Sequence, residues 1–480
     1  MKIALVQPNL DDKHPTQRQA YESRNRPPET GLAVLSSWVN AYSARQHDIT
    51  VLNPERSIEE LSEQAAGYDI LGISDWFSNH DNCTALARNT KTRNRAIKNI
   101  FGGVNASMIC REMLRNHPYV DYVVSRDGEN ALLAIADGKP PEEVPNLWRR
   151  TPNGIEFTHH DYTELKRMPL WDFSNFQDAE QRMREYTETQ KSGLDPWLVP
   201  PLTIFSLRGC MKSAKEGLCS YCVSAEEKVR ALPPEKLWEQ VSHLNQLYGA
   251  EIFYMSDDIF TISPRRIRQI ADAKPDGVKA RIRAYGYLPY MARLNSSELE
   301  AMASDLQRIG VFNLFFGSEN YDPQISVGMN KEYVSMEETD RIIRTIYHAG
   351  GIRTTIAYIL GLPGESKESL EMNLRSLKTL LDADDCIERL YISVGMPLKG
   401  TAWCRELESN QVVVSQYRKL GKELAADDSP EYDLLCRLSI EHMTSVSTRD
   451  VDDYLNRMTE AAKHKMPDYR IGGFLLDVGE

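Results

Sequence analysis

Positive charge, cysteine and long apolar runs are all scarce in this 480-residue chain. Lysine and arginine together number 57 against 69 aspartates and glutamates, a formal net charge of −12. That balance argues against a generic duplex-binding surface, which needs clustered positive charge. A local basic site for RNA remains compatible with it. Eight cysteines are too sparse for a disulfide-stapled scaffold. No apolar stretch reaches the roughly 18 residues that mark a membrane-spanning helix. The opening MKIALVQPNL holds one short apolar run that Gln7 and Pro8 end, without a secretory h-region or cleavage site. The expectation is a reducing cytoplasm, where grouped cysteines more often mean metal or catalysis than disulfides. Low-complexity segments are absent too. What is present is ordinary for a folded protein: 41% hydrophobic and 26% charged residues exclude wholesale disorder. The length suggests about three domains.

Residues 1–140 alternate short apolar runs with helical patterns. Lys2–Val6, Asp48–Leu52, Asp69–Ser74, Ile97–Phe101 and Tyr119–Val124 read as strands, and Gly31–Tyr42 carries apolar residues at helical spacing. Strands separated by helices predict a mainly parallel, Rossmann-like α/β sheet. Ligands of such sheets bind at the strand carboxyl ends, so the loops after these runs are the ones to watch. Residues 141–198, punctuated by prolines and ending in a charged stretch, read as a linker that packs locally. Residues 199–401 repeat one βα unit, with strands at Thr203–Leu207, Glu251–Met255, Arg281–Tyr285, Asn313–Phe316, Thr354–Ile359 and Arg389–Val394. Six such units predict a partial (β/α)6 barrel with its chemistry at the strand C-terminal ends. Residues 402–480 are patterned as a small, mainly helical region.

The first strand of the barrel runs into Cys210, and Cys219 and Cys222 follow in a C-x8-C-x2-C pattern. Cys83, Cys110, Cys386, Cys404 and Cys436 are scattered and show no pairing. Three thiolates on one loop suit a four-iron cluster with one iron open, or three of four zinc ligands. Structural zinc closes its fourth position, and no second C-x2-C or C-x2-H is present. A bland reading, with one buried cysteine and two unrelated ones, stays open on spacing alone. The strand ends that follow carry Asp257 and Asp258, then Glu319, then Gly361 to Glu365. Carboxylates there suit charge-assisted bonds to an ammonium group and to ribose hydroxyls, and glycines permit close approach of a planar base. Each has an ordinary reading as a cap or turn; their succession at neighbouring strand ends favours one shared site.

With these landmarks in hand, the chain resembles the radical S-adenosylmethionine (SAM) superfamily, in the branch that carries an N-terminal cobalamin-binding domain. The resemblance covers roughly residues 1–400 and rests on RGC…CSYC, DDIFT at 257–261, GSEN at 317–320, YILGLPGES at 358–366 and MPLKGT at 396–401. It implies that Cys210, Cys219 and Cys222 ligate a [4Fe–4S] cluster whose open iron takes SAM. It places Tyr221 near the adenine, Asp257 and Asp258 near the SAM amino group, Glu319 on the ribose, and Ile359 and Gly361 beside the adenine. In the N-terminal third, PPETGLA at 27–33, DILGIS at 69–74, FGGVNAS at 101–107 and DGE at 127–129 resemble the cobalamin domain. Pro28, Ser74, Trp76, Gly102, Gly103, Asn105, Gly128 and Glu129 are then the expected corrinoid contacts. Two departures matter. The usual first cysteine spacing is three residues, not eight, and the insert Met211–Leu218 is expected to loop out without moving the sulfurs. The D-x-H-x-x-G signature that supplies a cobalt ligand is absent, so His80 is expected to be a surface histidine. Trp76 is expected either to block the lower cobalt face or to be a core residue.

The resemblance implies a reaction in which a 5′-deoxyadenosyl radical takes a hydrogen atom from substrate and methylcobalamin delivers a methyl group. The favoured activity is C-methylation of an unactivated carbon in a small molecule or peptide, with an external electron donor such as flavodoxin or ferredoxin. Nucleic acid is disfavoured as substrate by the acidic balance, and no membrane is involved. Two alternatives stand beside it: a radical SAM enzyme with a non-methylating outcome such as rearrangement, and a non-catalytic protein with a zinc-bound cysteine triplet. Tyr285, Tyr287, Tyr290 and Arg293 are expected to pack under the barrel rim rather than to touch substrate.

Overall fold

Alternation along short apolar strands decides how the first sheet is buried. In β1 (Lys2–Val6), Ile3 and Leu5 enter one core while Ala4 and Val6 enter another. A parallel sheet covered on both faces requires this two-sided burial. The computed structural model describes residues 1–10, 29–191, 199, 201–224, 228–382, 384–466 and 471–472. In it β2 (Asp48–Val51), β3 (Ile70–Ser74), β4 (Lys98–Gly102) and β5 (Tyr122–Val124) join β1 in the parallel order β2-β1-β3-β4-β5. Leu32, Ala33, Ala131 and Leu132, from helices Thr30–Tyr42 and Glu129–Ala136, pack with Ile3 and Leu5. Cys83, Leu86, Met113 and Leu114, from helices His80–Arg93 and Cys110–Asn116, pack with Ala4 and Val6.

The segment read as a linker is in part more of this sheet. A hairpin of β6 (Leu147–Thr151) and β7 (Gly154–Phe157) adds antiparallel to β5. Arginines hid it in the sequence. Arg150 donates to the carbonyls of Leu114, His117 and Val120 at the end of a helix, so a charge at a strand position has a backbone role. The helix Ala179–Lys191 follows, and its Tyr186 hydroxyl accepts from Leu202 N (3.1 Å) and donates to Ile252 O (3.1 Å), tying the segment to the second sheet.

That second sheet begins with β8 (Leu202–Ile204). A short antiparallel pair, β9 (Leu207–Arg208) and β10 (Arg230–Ala231), stands apart from it. The sheet continues through β11 (Ile252–Met255), β12 (Arg281–Gly286), β13 (Val311–Glu319), β14 (Arg353–Leu360) and β15 (Ile387–Val394), all parallel, in the order β15-β14-β13-β12-β11-β8. This is the expected partial six-stranded barrel with helices between its strands. Helix ends follow their caps: Asn295 and Glu298 form a capping box before Ser296–Ile309, and that helix stops at left-handed Gly310. A Cβ on Gly310 would lie 2.0 Å from Ala280 O, so the strand entry requires glycine.

The C-terminal region carries helices Ala402–Ser409, Gln411–Lys419, Tyr432–Met443 and Thr448–Lys463. Among the described residues it also carries β16 (Ile471–Gly472), which pairs with β15, an addition to the expected helical reading. Its side chains form a third core with strand-end residues of the barrel: Trp403, Leu407, Tyr417 and Leu435 pack near Ile359, Tyr221 and Met396, joined by Phe77 from the first sheet. The first three of these helices therefore sit over the mouth of the barrel, whereas Thr448–Lys463 packs with the barrel's main core. No described helix is long and apolar enough to cross a membrane.

Candidate active site

The order β2-β1-β3-β4-β5 reverses direction between β1 and β3, the place where doubly wound sheets open a crevice. A cleft of about 290 Å³ lies there, lined by Leu5, Ser74, Gly102, Gly103, Gly128 and Glu129 with Leu32 and Leu35 on its helical wall. Glycine makes the floor possible. Gly103 has φ 99°, and a Cβ there would lie 2.6 Å from Asp75 O. Of the expected corrinoid contacts, five line this cleft: Ser74, Gly102, Gly103, Gly128 and Glu129. Pro28 lies outside the described residues. Trp76 and Asn105 are not in the lining. Trp76 is 43% exposed, so it is not a core residue. Asn105 is buried because its amide binds Asp75 Oδ2 at 2.9 Å.

His80 is the clearest correction. It is 2% exposed rather than on the surface. Asp75 Oδ1 holds its Nδ1 at 2.9 Å, and Asp428, from the C-terminal region, lies 3.6 Å from its Nε2. Burial alone would lower its pKa, but the two carboxylates outweigh burial and raise it to about 10. Nothing in the sequence puts residue 428 beside residue 80.

The cysteine loop leaves the barrel through a neck formed by β9 and β10. Gly209, at φ 91°, crosses so close to the returning chain that a Cβ would sit 2.6 Å from Lys228 O. Cys210, Cys219 and Cys222 are unpaired and half-buried. Their sulfurs do not form a tight single-ion set: among the described residues the one His, Cys, Asp or Glu trio with donor atoms mutually within 4.8 Å lies elsewhere. Burial pushes the Cys222 thiol up to about 11 and raises that of Cys210. Thiols so placed become thiolates at neutral pH when a metal takes them.

The long first spacing has a physical account. The insert does not loop out; Met211–Glu216 is a short helix. Buried Lys212 donates to Gly217 O (2.7 Å) and to Asn330 O, and Ser220 N donates to Met329 O (2.9 Å). The extra residues dock on the segment after β13 and return the chain for Cys219.

Asp257 and Asp258 have different positions. Asp257 is fully buried and accepts from Ser206 N (2.7 Å), Ser206 Oγ (2.5 Å) and Leu207 N (3.0 Å). It braces the chain that enters the cysteine loop, which leaves those oxygens engaged rather than open to an ammonium group. Asp258 faces the loop: it accepts from Ser224 Oγ (3.2 Å), and its charge acts on Cys210 and Cys222. Glu319 is held by Lys331 at 2.9 Å and sits in the left-handed region at φ 62°. Its charge and that of Cys219 both act on Tyr221, over whose ring Lys331 Nζ lies 5.9 Å from the centroid. Ile359 packs in the same core as Tyr221. Gly361, at φ 78°, donates its N–H to buried Glu365, which also accepts from Asn320 Nδ2 at 2.8 Å.

Two phenols mark a space that the protein itself does not fill. The hydroxyls of Tyr287 and Tyr290 are buried without a hydrogen-bond partner, whereas that of Tyr221 lies against Cys219. Cys219 acts electrostatically on Tyr287, and Cys210 on Tyr290. Orphaned donors at one place fit a bound polar group. These two tyrosines therefore face the cysteine loop, where packing alone was expected.

One residue joins the two sites. Arg208, two positions before Cys210, lines the cleft of the first sheet. Its guanidinium binds Asp127 (3.0 Å) and Glu129 (2.5 Å), both nearly inaccessible. Arg230, across the neck, binds Asp127 at 2.5 Å and donates to Thr163 O at 2.9 Å. Burial raises the pKa of Asp127, but the two arginines outweigh it and hold the carboxyl below its ordinary value. Glu129, expected at the corrinoid, is also engaged by Thr163 Oγ1 at 3.1 Å. Arg208, Arg230, Asp127 and Lys331 were missed in the sequence. Arg208 in RGC was visible, but its partners lie about 80 residues earlier.

Comparison with known proteins agrees with this architecture. The B12 binding domain family matches residues 23–136. An uncharacterised methyltransferase of Pyrococcus horikoshii is 21% identical over 400 residues, 82% of this chain and 81% of its own. The anaerobic magnesium-protoporphyrin IX monomethyl ester cyclase of Cereibacter sphaeroides is 22% identical over 287 residues, 44% of its own length. Among solved structures, the radical SAM methyltransferase TsrM of Kitasatospora setae, with cobalamin and a [4Fe–4S] cluster bound, superposes with TM-score 0.67 at 15% identity, covering 100% of this chain and 92% of TsrM. The cobalamin-dependent radical SAM enzyme OxsB, with aqua-cobalamin and SAM bound, gives TM-score 0.64 at 15% identity, covering 99% of this chain and 64% of OxsB.

Proposed function

We propose that this chain, which has the two-domain fold of cobalamin-dependent radical SAM enzymes, is a cobalamin-dependent radical SAM methyltransferase that methylates an unactivated carbon of a small molecule or peptide. The observation that carries the reading is Arg208: one side chain lines the corrinoid-type cleft and stands two residues from Cys210. A one-electron cleavage of SAM and a methyl transfer need their cofactors side by side, and this residue is shared by both candidate sites.

When bound, the cluster supplies the electron that cleaves SAM, and the corrinoid supplies a transferable methyl group. The protein's own part is to place and enclose. Cys210, Cys219 and Cys222 would hold the cluster, and Asp258 would meet the SAM amino group. Glu319, fixed by Lys331, would take the ribose hydroxyls, and Tyr221, Ile359 and Gly361 would contact the adenine. Gly102, Gly103 and Gly128 let the corrinoid approach the backbone. The C-terminal helices over the barrel mouth exclude water from the reacting centre. The inner barrel wall supports an organic substrate of modest size: Tyr254, Tyr285, Phe315 and Tyr391 contact one another in sequence across β11 to β15, with centroids 5.7, 5.0 and 5.5 Å apart. An external one-electron donor of the flavodoxin or ferredoxin type would reduce the cluster.

The test is anaerobic reconstitution, metal quantitation and product mass. Iron and cobalt should both be retained, and SAM should be cleaved under strong reductant. A product heavier by one methyl group supports methylation; an isomeric product would mean rearrangement instead. Replacement of Cys210, Cys219 and Cys222 by alanine together should remove the iron and abolish SAM cleavage. Iron retained in that variant would overturn the ligand assignment.

A further inference from the structure

We propose that His80, His117 and Asp428 form a site for one divalent transition-metal ion of the zinc type, separate from both cofactor sites. None of the three lines the corrinoid-type cleft, and none belongs to the cysteine loop. Their donor atoms all lie within 4.8 Å of one another. Both imidazoles aim Nε2 at the same carboxylate oxygen: His117 Nε2 is 2.6 Å and His80 Nε2 is 3.6 Å from Asp428 Oδ2. The other Asp428 oxygen accepts from Asn116 Nδ2 at 3.0 Å, so Oδ2, the oxygen both imidazoles address, is the ligand atom of that side chain.

The outer contacts point the same way. His80 Nδ1 is 2.9 Å from Asp75 Oδ1, and Asn105 Nδ2 fixes the second oxygen of Asp75 at 2.9 Å. His117 Nδ1 is 2.7 Å from the Tyr119 hydroxyl. A carboxylate or hydroxyl on Nδ1 is how metal-bound histidines are oriented and their Nε2 lone pairs exposed. Without a metal the two carboxylates favour a proton on His80; a metal ion would take that proton's place, with the Nδ1 proton kept on Asp75 and the Nε2 lone pair turned to the ion. His80 Nε2 has no hydrogen bond, although the residue is only 2% exposed. Such an atom is costly without a cation beside it. A proton would answer His80 alone. A metal ion answers both histidines, which converge on one oxygen with each Nδ1 already engaged. Two imidazoles and one carboxylate with an open fourth position suit zinc. His117, 18% exposed, provides the route in.

The site would act as a clamp. His80 opens the helix His80–Arg93, and His117 follows the helix Cys110–Asn116, so both belong to the layer beneath the first sheet. Asp428 comes from the C-terminal region that covers the barrel mouth. Two further hydrogen bonds seat that loop: Ser429 Oγ donates to Asp81 Oδ1 at 2.8 Å, and Asn116 Nδ2 donates to Ala426 O at 2.9 Å.

The experiment uses the full chain, purified anaerobically, given equimolar zinc sulfate and then desalted. Mass spectrometry should find one zinc per chain, held in addition to any iron and cobalt. His117→Gln and Asp428→Asn should each lower zinc by roughly tenfold or more, with iron per chain unchanged. The Cys210→Ala, Cys219→Ala, Cys222→Ala triple variant should lose iron and keep zinc. Zinc K-edge absorption of the unmodified protein requires no variant to fold, and should show only nitrogen and oxygen neighbours at about 2.0 Å. Absence of zinc in the unmodified protein, undiminished zinc in His117→Gln, or a sulfur neighbour near 2.3 Å overturns the proposal. Because iron and zinc are read separately, failure of the cluster assignment and failure of this site give different results.

Discussion

Glu365 has no solvent exposure and two close donors, Gly361 N and Asn320 Nδ2. Burial raises its pKa from 4.5 to about 7, and the donors only partly offset this. Between those two values the folded state holds more protons than the unfolded chain. Its contribution to stability is therefore full below about pH 4.5 and falls as pH rises through 7. The loss amounts to about 3 kcal/mol at most. Thermal midpoints of the apoprotein at pH 5.5 and 8 should differ less in Glu365→Gln than in the unmodified chain; an equal difference would mean that Glu365 does not titrate there. The same reasoning separates the neighbouring acids 257 and 258. A sequence shows two aspartates at a strand end, but only burial reveals that Asp257 braces Ser206 and Leu207 while Asp258 faces the thiols.

The β9–β10 neck shows how a two-residue strand pair can be held in place by charge rather than by apolar area. Asp127 is nearly inaccessible, and both arginines of the neck reach it. Removing one partner of a buried ionic network leaves the remaining charge without compensation, typically at a cost of about 3–5 kcal/mol. Arg230→Ala should lower stability by that order in chemical denaturation. Asp127→Asn combined with Arg230→Gln should recover a substantial part of it, because no buried charge is then stranded. If the single and double variants are equally stable, the network is not what seats the neck. Elements with regular apolar periodicity were legible in the sequence: β1 to β5, the barrel strands and the helix Thr30–Tyr42 fall within a few residues of their expected bounds. The hairpin β6–β7 was not, because Arg149 and Arg150 occupy strand positions and Pro152 suggested a linker. The cysteine triplet was legible through its spacing, and the glycines of the cleft through the family resemblance. The long-range pairs were not: Arg208 with Asp127, Lys331 with Glu319, and His80 with Asp428 are made only by tertiary packing, and such pairs leave no local spacing.

The two candidate sites share a wall, and a shared wall implies linkage. Arg208 binds Asp127 and Glu129 at the floor of the corrinoid-type cleft and leads directly into Gly209 and Cys210. If a cluster orders the cysteine loop, it would further restrain Arg208, which already lines the cleft. Whatever binds the cleft should therefore bind more tightly when the cluster is present, and by thermodynamic reciprocity the cluster should be better retained when the cleft is filled. Typical couplings of about 1–3 kcal/mol correspond to roughly 5- to 150-fold. Hydroxocobalamin titrations of cluster-loaded and cluster-free protein, followed by absorbance, should show tighter binding in the loaded form. Arg208→Leu should reduce that ratio toward one even where some cobalamin binding survives. A ratio of one in the unmodified protein would show that the sites are adjacent but energetically independent. In that case the Arg208 ion pairs would serve only to join the two sheets.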